Sequence, residues 1–307
     1  MTRDRGIALL NALVMVAAIA ALAAGLMIEA GHSRDRMAHV AGSQQAALHL
    51  DAGLLLVDPV LRADWLRAPD IDHPGEPWAR APLDADIDRG RLVARLADLQ
   101  GRFNVNSLAN ASDTGAARAF ERLLRRLGLP VSLGAEIAGF VQPRGPVRPA
   151  DYATRALPVR AAGGAVDRVE ALRLVRGMTE AHYARLVPFV AALPPRTPLN
   201  VNTASAEVLG AMLSAANPAD IERLLAGRAA APFADMADFE DRTRRLIHPG
   251  VLARAQVPDG GFGVSTRWFE ARLVLHLDGG VHRRILTVER SPEDGAALIA
   301  HRRMVLP

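Results

Sequence analysis

A chain of 307 residues, half of them hydrophobic and 23% charged, is long enough to bury a proper core and is not a disordered polymer. Its 37 basic side chains are all arginine, and 33 acidic residues are interleaved with them, so the formal charge of +4 is not gathered into the one-sided stripe that nucleic-acid binding requires. The absence of cysteine excludes thiol catalysis, cysteine-ligated zinc and disulfide staples.

Met1 to Gly6 is short and polar, with Arg3 and Arg5. Ile7 to Ile28 follows without a charge, long enough to cross a hydrocarbon layer of roughly 30 Å, and Asn11 is its only strongly polar residue. The arginines nearest the apolar run lie upstream and Glu29 is the first charge downstream, which predicts a cytoplasmic N-terminus. Three readings fit this segment. A cleavable signal peptide finds an A-x-A site at Ala21-Leu22-Ala23, but its apolar stretch is normally about 7–15 residues. A plain signal anchor is the second. The third rests on Arg5-Gly6 directly before Ile7, which resembles the cleavage site of type IV pilin-like precursors. That resemblance implies cutting between Gly6 and Ile7 by a prepilin peptidase, with N-methylation of Ile7. Most pilin-like proteins carry Glu at mature position five, where this chain has Asn11.

Helical patterning continues past the apolar run, with Met37, Val40, Ala41, Gln44, Ala47, Leu48, Leu54 and Leu55 at three-to-four spacing. Gly31, Gly42 and Gly53 are possible bends, and Pro59 is expected to end the helix. Pro69 to Pro82 reads as an irregular connection. Arg91 to Leu96 alternates as a strand, Asp98 to Gly101 turns, and Arg102 to Leu108 is a second extended run, which together predict a hairpin. Strand signals then give way to helices at 116–129, 133–141, 169–176, 179–193, 204–212, 218–227 and 236–244, with a Pro/Gly/Arg loop over 144–164. Extended structure returns at Trp268 to Leu277, a turn at Asp278-Gly279-Gly280 and Val281 to Glu289, followed by an arginine-bearing tail.

Two phrases stand out. The first is Asp98-Leu99-Gln100-Gly101-Arg102-Phe103-Asn104-Val105-Asn106-Ser107-Leu108, the second Leu199-Asn200-Val201-Asn202-Thr203-Ala204-Ser205-Ala206-Glu207-Val208-Leu209. Between them lies Val169 to Thr179, followed by Tyr183, Leu186, Pro188 and Phe189. With the leader, these resemble the general secretion pathway protein K (GspK) family, the minor pseudopilin K of type II secretion systems, from Arg5 to about Arg290. That family characteristically lacks the Glu that Asn11 replaces. The resemblance implies an α+β, pilin-like fold: a long N-terminal transmembrane helix packed on a small antiparallel sheet, with a large all-α domain inserted between the strands. The boundaries are a leader at 1–6, a transmembrane helix at 7–28, its periplasmic continuation at 29–58, the first part of the α/β domain at 59–108, the helical insert at 109–255 and the C-terminal strands at 256–307. It also implies an inner-membrane protein with a periplasmic body that caps a pseudopilus and joins the I and J components, and it implies no catalysis.

Asn104, Asn106, Asn200 and Asn202 are expected to hold turns and cap helices, and Thr203 to cap the helix from Ala204. A second resemblance runs from Leu199 to about 240, where Arg228, Phe233 and Asp238 match the helix-hairpin-helix unit of DNA-uptake receptors. That unit needs glycines in its hairpin, and here Leu213 to Pro218 has none, so no nucleic-acid partner is expected. The protein K family also implies calcium, held by aspartates where this chain reads Gly139-Phe140-Val141-Gln142-Pro143-Arg144-Gly145 without a carboxylate; no cofactor is expected there. Asp84, Asp86 and Asp88 have EF-hand-like spacing, yet Arg89 and Arg95 stand where that loop needs Gly and Glu; a solvated acidic loop is expected.

Overall fold

The alanine- and leucine-rich N-terminal run forms one helix, α1, over Arg3–Asp51. Leu13–Arg34 within it is long and apolar enough to cross a membrane. The computed structural model describes residues 3–146, 148–154, 159, 161–214, 216–247 and 259–305. They fall into two units, Met1–Ala52 and Gly53–Pro307.

Gly31 and Gly42 stay helical, and the break comes at Gly53, the N-cap of α2 (Leu54–Arg67). Pro59 lies inside α2 and does not end it, contrary to expectation. Pro59 and Leu55 are exposed, so water can satisfy the Leu55 carbonyl that Pro59 leaves without a donor. A short helix, α3 (Pro77–Arg80), follows.

The second unit is built on a five-stranded antiparallel sheet. Its strands β1 (Leu83–Ile87), β2 (Gly90–Asp98), β7 (Trp268–Leu277), β8 (Gly280–Arg290) and β9 (Ala297–Val305) run in that spatial order. Leu92, Ala94 and Leu96 of β2 share one buried face with Phe269, Ala271, Leu273 and Leu275 of β7 and with Leu286 and Val288 of β8. Val57 and Leu61 of α2 are buried, and Trp78 of α3 meets Phe269 edge to face at 5.2 Å. The other face is less buried and mixes polar with apolar side chains, Glu270, Arg272 and Thr287 beside Trp268, Val274 and Ile285, as period two allows.

Between β2 and β7 in the sequence come α4 (Thr114–Arg126), α5 (Ser132–Val141), α6 (Ala150–Ala153), α7 (Glu180–Leu186), α8 (Ala206–Met212), α9 (Pro218–Ala230) and α10 (Met236–Leu246). They enclose a core that includes Phe103, Phe120, Ile137, Phe140, Leu172, Phe233 and Phe239. Two pairs of two-residue parallel strands lie here as well: β3 (Phe103–Asn104) with β4 (Val190–Ala191), and β5 (Leu199–Asn200) with β6 (Phe262–Gly263).

Several sequence expectations are corrected. The hairpin partner of β2 is β1, whereas 105–109 closes into a 3-10 helix because Asn104 and Ser107 bond the backbone locally. The acidic 84–88 stretch is strand and turn, not a loop. Residues 169–174 form a 3-10 helix, and the helix expected over 179–193 stops at Leu186, with Pro188 two residues on. The arginine-bearing tail is strand β9, paired with β8.

Candidate functional site

The two asparagine phrases, about 100 residues apart in the chain, meet in space. Asp98, at the end of β2, is the meeting point. Its Oδ2 accepts hydrogen bonds from Asn200 Nδ2 at 3.1 Å, from Thr266 Oγ1 at 2.7 Å and from the Thr203 hydroxyl. Its Oδ1 accepts the Gln100 N–H at 2.6 Å. Burial pushes the Asp98 carboxyl above the usual carboxylate range, and these four donors oppose it. Gly101 completes the approach: a Cβ there would lie 2.6 Å from Thr203 Oγ1 and 2.9 Å from the Thr203 carbonyl.

Each asparagine fixes backbone. Asn104 Oδ1 accepts from Asn106 N–H at 3.1 Å and Leu193 N–H at 3.1 Å. Asn106 donates to the Val166 and Leu193 carbonyls at 2.8 Å and accepts from Val166 N–H at 2.8 Å. Asn200 Nδ2 also donates to the Asp72 carbonyl at 3.1 Å, and its Oδ1 accepts Asn202 N–H at 2.9 Å. Asn202 binds both backbone groups of Phe233, accepting at 2.8 Å and donating at 3.0 Å. An amide side chain carries its acceptor and its donors on separate atoms of one short planar group, so Asn106 and Asn202 each serve a backbone N–H and a carbonyl at once. Thr203 does not cap the following helix. Ser205 caps α8, with Glu207 in its first turn, and the Thr203 hydroxyl goes to Asp98 instead.

Beside this junction lies an ionic cluster that sequence reasoning missed. Arg290, at the end of β8, is buried; its Nη2 lies 2.5 Å from Asp72 Oδ2 and its Nη1 3.2 Å from Asp64 Oδ2. Thr266 donates its N–H to Asp72 Oδ2 at 2.6 Å. Glu76 Oε2 accepts from His73 N–H at 2.9 Å and Trp78 Nε1 at 2.8 Å. Burial pushes Asp72 up to about 7, outweighing the Arg290 charge, and pushes Glu76 upward as well. One oxygen from each of Asp64, Asp72 and Glu76 falls within 4.8 Å of the others, a spacing that suits a cation. The Arg290 guanidinium already bridges two of these three carboxylates. The sequence signal was the acidic content of the irregular 69–82 stretch, with no mark of which acids turn inward.

The remaining predicted residues are dispersed. Gly6, Ile7 and Asn11 lie in the helical backbone of α1. Asp84 pairs with Arg91, Asp86 is exposed on β1, and Asp88 adjoins Arg89, which adopts φ 66° in the β1–β2 turn. These do not converge on a cation. Over 139–145 the donor set is equally unsuited to calcium: no carboxylate is present, and the Gln142 amide donates to the Leu108 carbonyl at 3.0 Å. In the hairpin-like stretch, Asn217 and Asp220 form a reciprocal capping box on α9. That places a carboxylate where a phosphate would need to sit. Arg228 is turned inward, donating to the Val201 and Ala204 carbonyls at 2.8 and 2.7 Å.

Two family models described as type II secretion system protein K match residues 101–195 and 199–257, half of the chain, and cover Asn104, Asn106, Asn200 and Asn202. The chain is 33% identical to the type II secretion system protein K of Pseudomonas aeruginosa, across 98% of this chain and 93% of that relative. The chain belongs to the type II secretion system protein K family. The Aeromonas hydrophila protein K is 26% identical across 98% of this chain and 97% of that relative. A chain in the crystal structure of the GspK-GspI-GspJ complex from enterotoxigenic Escherichia coli shares the fold, with a TM-score of 0.68 at 20% identity. That match covers 90% of this chain and 100% of the other. Membership makes this chain a minor pseudopilin of type II secretion, and α1 fits a single-pass membrane anchor.

Proposed function

We propose that this chain caps the pseudopilus tip and helps initiate its assembly, as a non-enzymatic scaffold carrying a helical insert between its sheet strands. The mature protein begins at Ile7 after a prepilin peptidase cuts behind Gly6. α1 holds it in the inner membrane with the N-terminus cytoplasmic and the body in the periplasm. Its partners are the I and J minor pseudopilins, by likeness to a protein solved in a GspK-GspI-GspJ complex. The observation that carries the reading is near end-to-end similarity to protein K relatives in a chain that opens with an apolar helix. Asn11 fits it: a tip subunit has no neighbour above whose amino group would need a carboxylate partner, and an unpaired carboxylate within the bilayer is costly.

Neither a calcium role nor DNA binding belongs to this reading. The 139–145 stretch lacks carboxylates, and the α9 cap and Arg228 are already occupied. The test is a clean deletion in the source bacterium, complemented by the full chain. Export of folded proteins stops or loses its control in the deletion and returns on complementation; unimpaired export overturns the assignment. Mass spectrometry of the mature N-terminus separates methylated Ile7 from cleavage after Ala23 or none.

A further inference from the structure

The outward face of the sheet and the helical segment above it enclose a groove of about 590 Å³. Arg102, Arg168, Arg173, Arg272, Arg302 and Arg303 line it, against the carboxylates of Asp167, Glu170 and Glu270. Those carboxylates do not neutralise it. Glu270 Oε1 is shared by Arg272 Nε at 2.7 Å and Arg102 Nη2 at 3.5 Å, and Glu170 is taken by Arg303. Arg173 reaches outside the lining to Glu180, at 2.8 Å.

The excess continues over the rim. Arg95 of β2 stands directly opposite Arg272 of β7 in the ladder, and Arg283 of β8 is exposed on the same side. The side chains of Arg95 and Arg283 make no ion pair or hydrogen bond among the described residues. Like charges opposed across a ladder destabilise a sheet, so the fold itself gains nothing from this placement. Between the charges the groove offers apolar surface from Leu99, Pro188, Ala192 and Ile285.

We infer that this groove is a docking site for an extended acidic segment of a partner protein, with aspartates or glutamates at alternate positions meeting the arginines and apolar side chains between them. Arginine suits carboxylates because its fork can bind both oxygens at once. A flat anionic bilayer is the weaker occupant, since the groove is walled on one side by the helical segment and a planar surface cannot enter it. The inference rests on the assembly role proposed above.

The test uses the full chain in an amphipathic polymer and a short labelled peptide of alternating glutamate and valine, followed by fluorescence anisotropy. Its glutamine–valine counterpart and anionic phosphatidylglycerol vesicles are the other arms. The glutamate peptide binds, the glutamine peptide does not, and binding weakens as salt rises. R95E/R272E weakens it by about tenfold or more, while R95K/R272K keeps most of it. Equal binding of the two peptides, or indifference to R95E/R272E, overturns the site. Vesicle binding through the same arginines without peptide binding also overturns it, in favour of lipid. If R95E/R272E does not fold, R95Q/R272Q and the salt dependence of the unaltered chain decide. Export in the complemented deletion is scored separately: normal complementation with no peptide binding removes this inference alone, and normal export in the deletion removes the assembly role alone.

Discussion

The Arg290 guanidinium lies 2.5 Å from the Asp72 carboxylate, and both residues are shut away from solvent. Removing the cation strands Asp72 in a dry site and leaves Asp64 with Arg67 alone, at 2.9 Å. R290M is therefore expected to cost about 3–5 kcal/mol, seen as a lower urea midpoint for the full chain. Combining it with D64N and D72N recovers much of the loss. No recovery in the triple variant would show that Arg290 acts mainly by packing against the Phe269 ring, 5.1 Å away.

The same pair sets a pH dependence. Asp72 titrates at about 7 in the fold against an ordinary value of 3.8, so the folded chain holds its proton more tightly than the open chain does. Its stabilising contribution is full below about pH 4, fades as pH rises and is gone above about 7. Glu76 and Asp98 are displaced in the same direction. The stability difference between the unaltered chain and D72N accordingly shifts in favour of D72N from pH 5 to pH 8. A difference moving the other way would mean that the ion pair with Arg290 outweighs burial.

Gly101 leaves no room for a methyl group at the junction. G101A drives a Cβ into the Thr203 hydroxyl and carbonyl and should cost about 1–3 kcal/mol, with faster proteolysis near 198–204. Gly227, inside α9 with nothing within 4 Å of its Cβ position, is the control. G227A should gain about 0.5–1 kcal/mol through helix propensity.

Asn202 holds Phe233 by both backbone groups in the interior. N202A leaves a buried N–H and a buried carbonyl unpaired and should cost about 3 kcal/mol. N202D fares as badly near neutral pH, because a carboxylate can accept from Phe233 N–H but cannot donate to its carbonyl. Chemical denaturation of the three proteins ranks them.

The apolar run, the Trp268–Leu277 strand and the amphipathic helix ending near Arg126 were legible because their periods are strong and uninterrupted. β1 was not: Asp84 and Asp86 leave three apolar residues in five, and its pairing is set by β2. β9 was hidden by His301, Arg302 and Arg303, charges that also suit an edge strand. The asparagines were visible as turn-formers, but nothing local told Asn200 to reach Asp98. The buried acids are the clearest gap, since Asp70 and Asp72 sit two residues apart and only the fold sends Asp72 inward.

Asp98 faces Phe269 across the β2–β7 ladder, and the Leu99 N–H meets the Trp268 carbonyl at 3.0 Å. The chain thus leaves the sheet and returns at a single doorway after an excursion of about 170 residues, whose closure entropy grows only with the logarithm of its length. Folding speed feels that length more, since contacts between residues far apart in sequence form slowly.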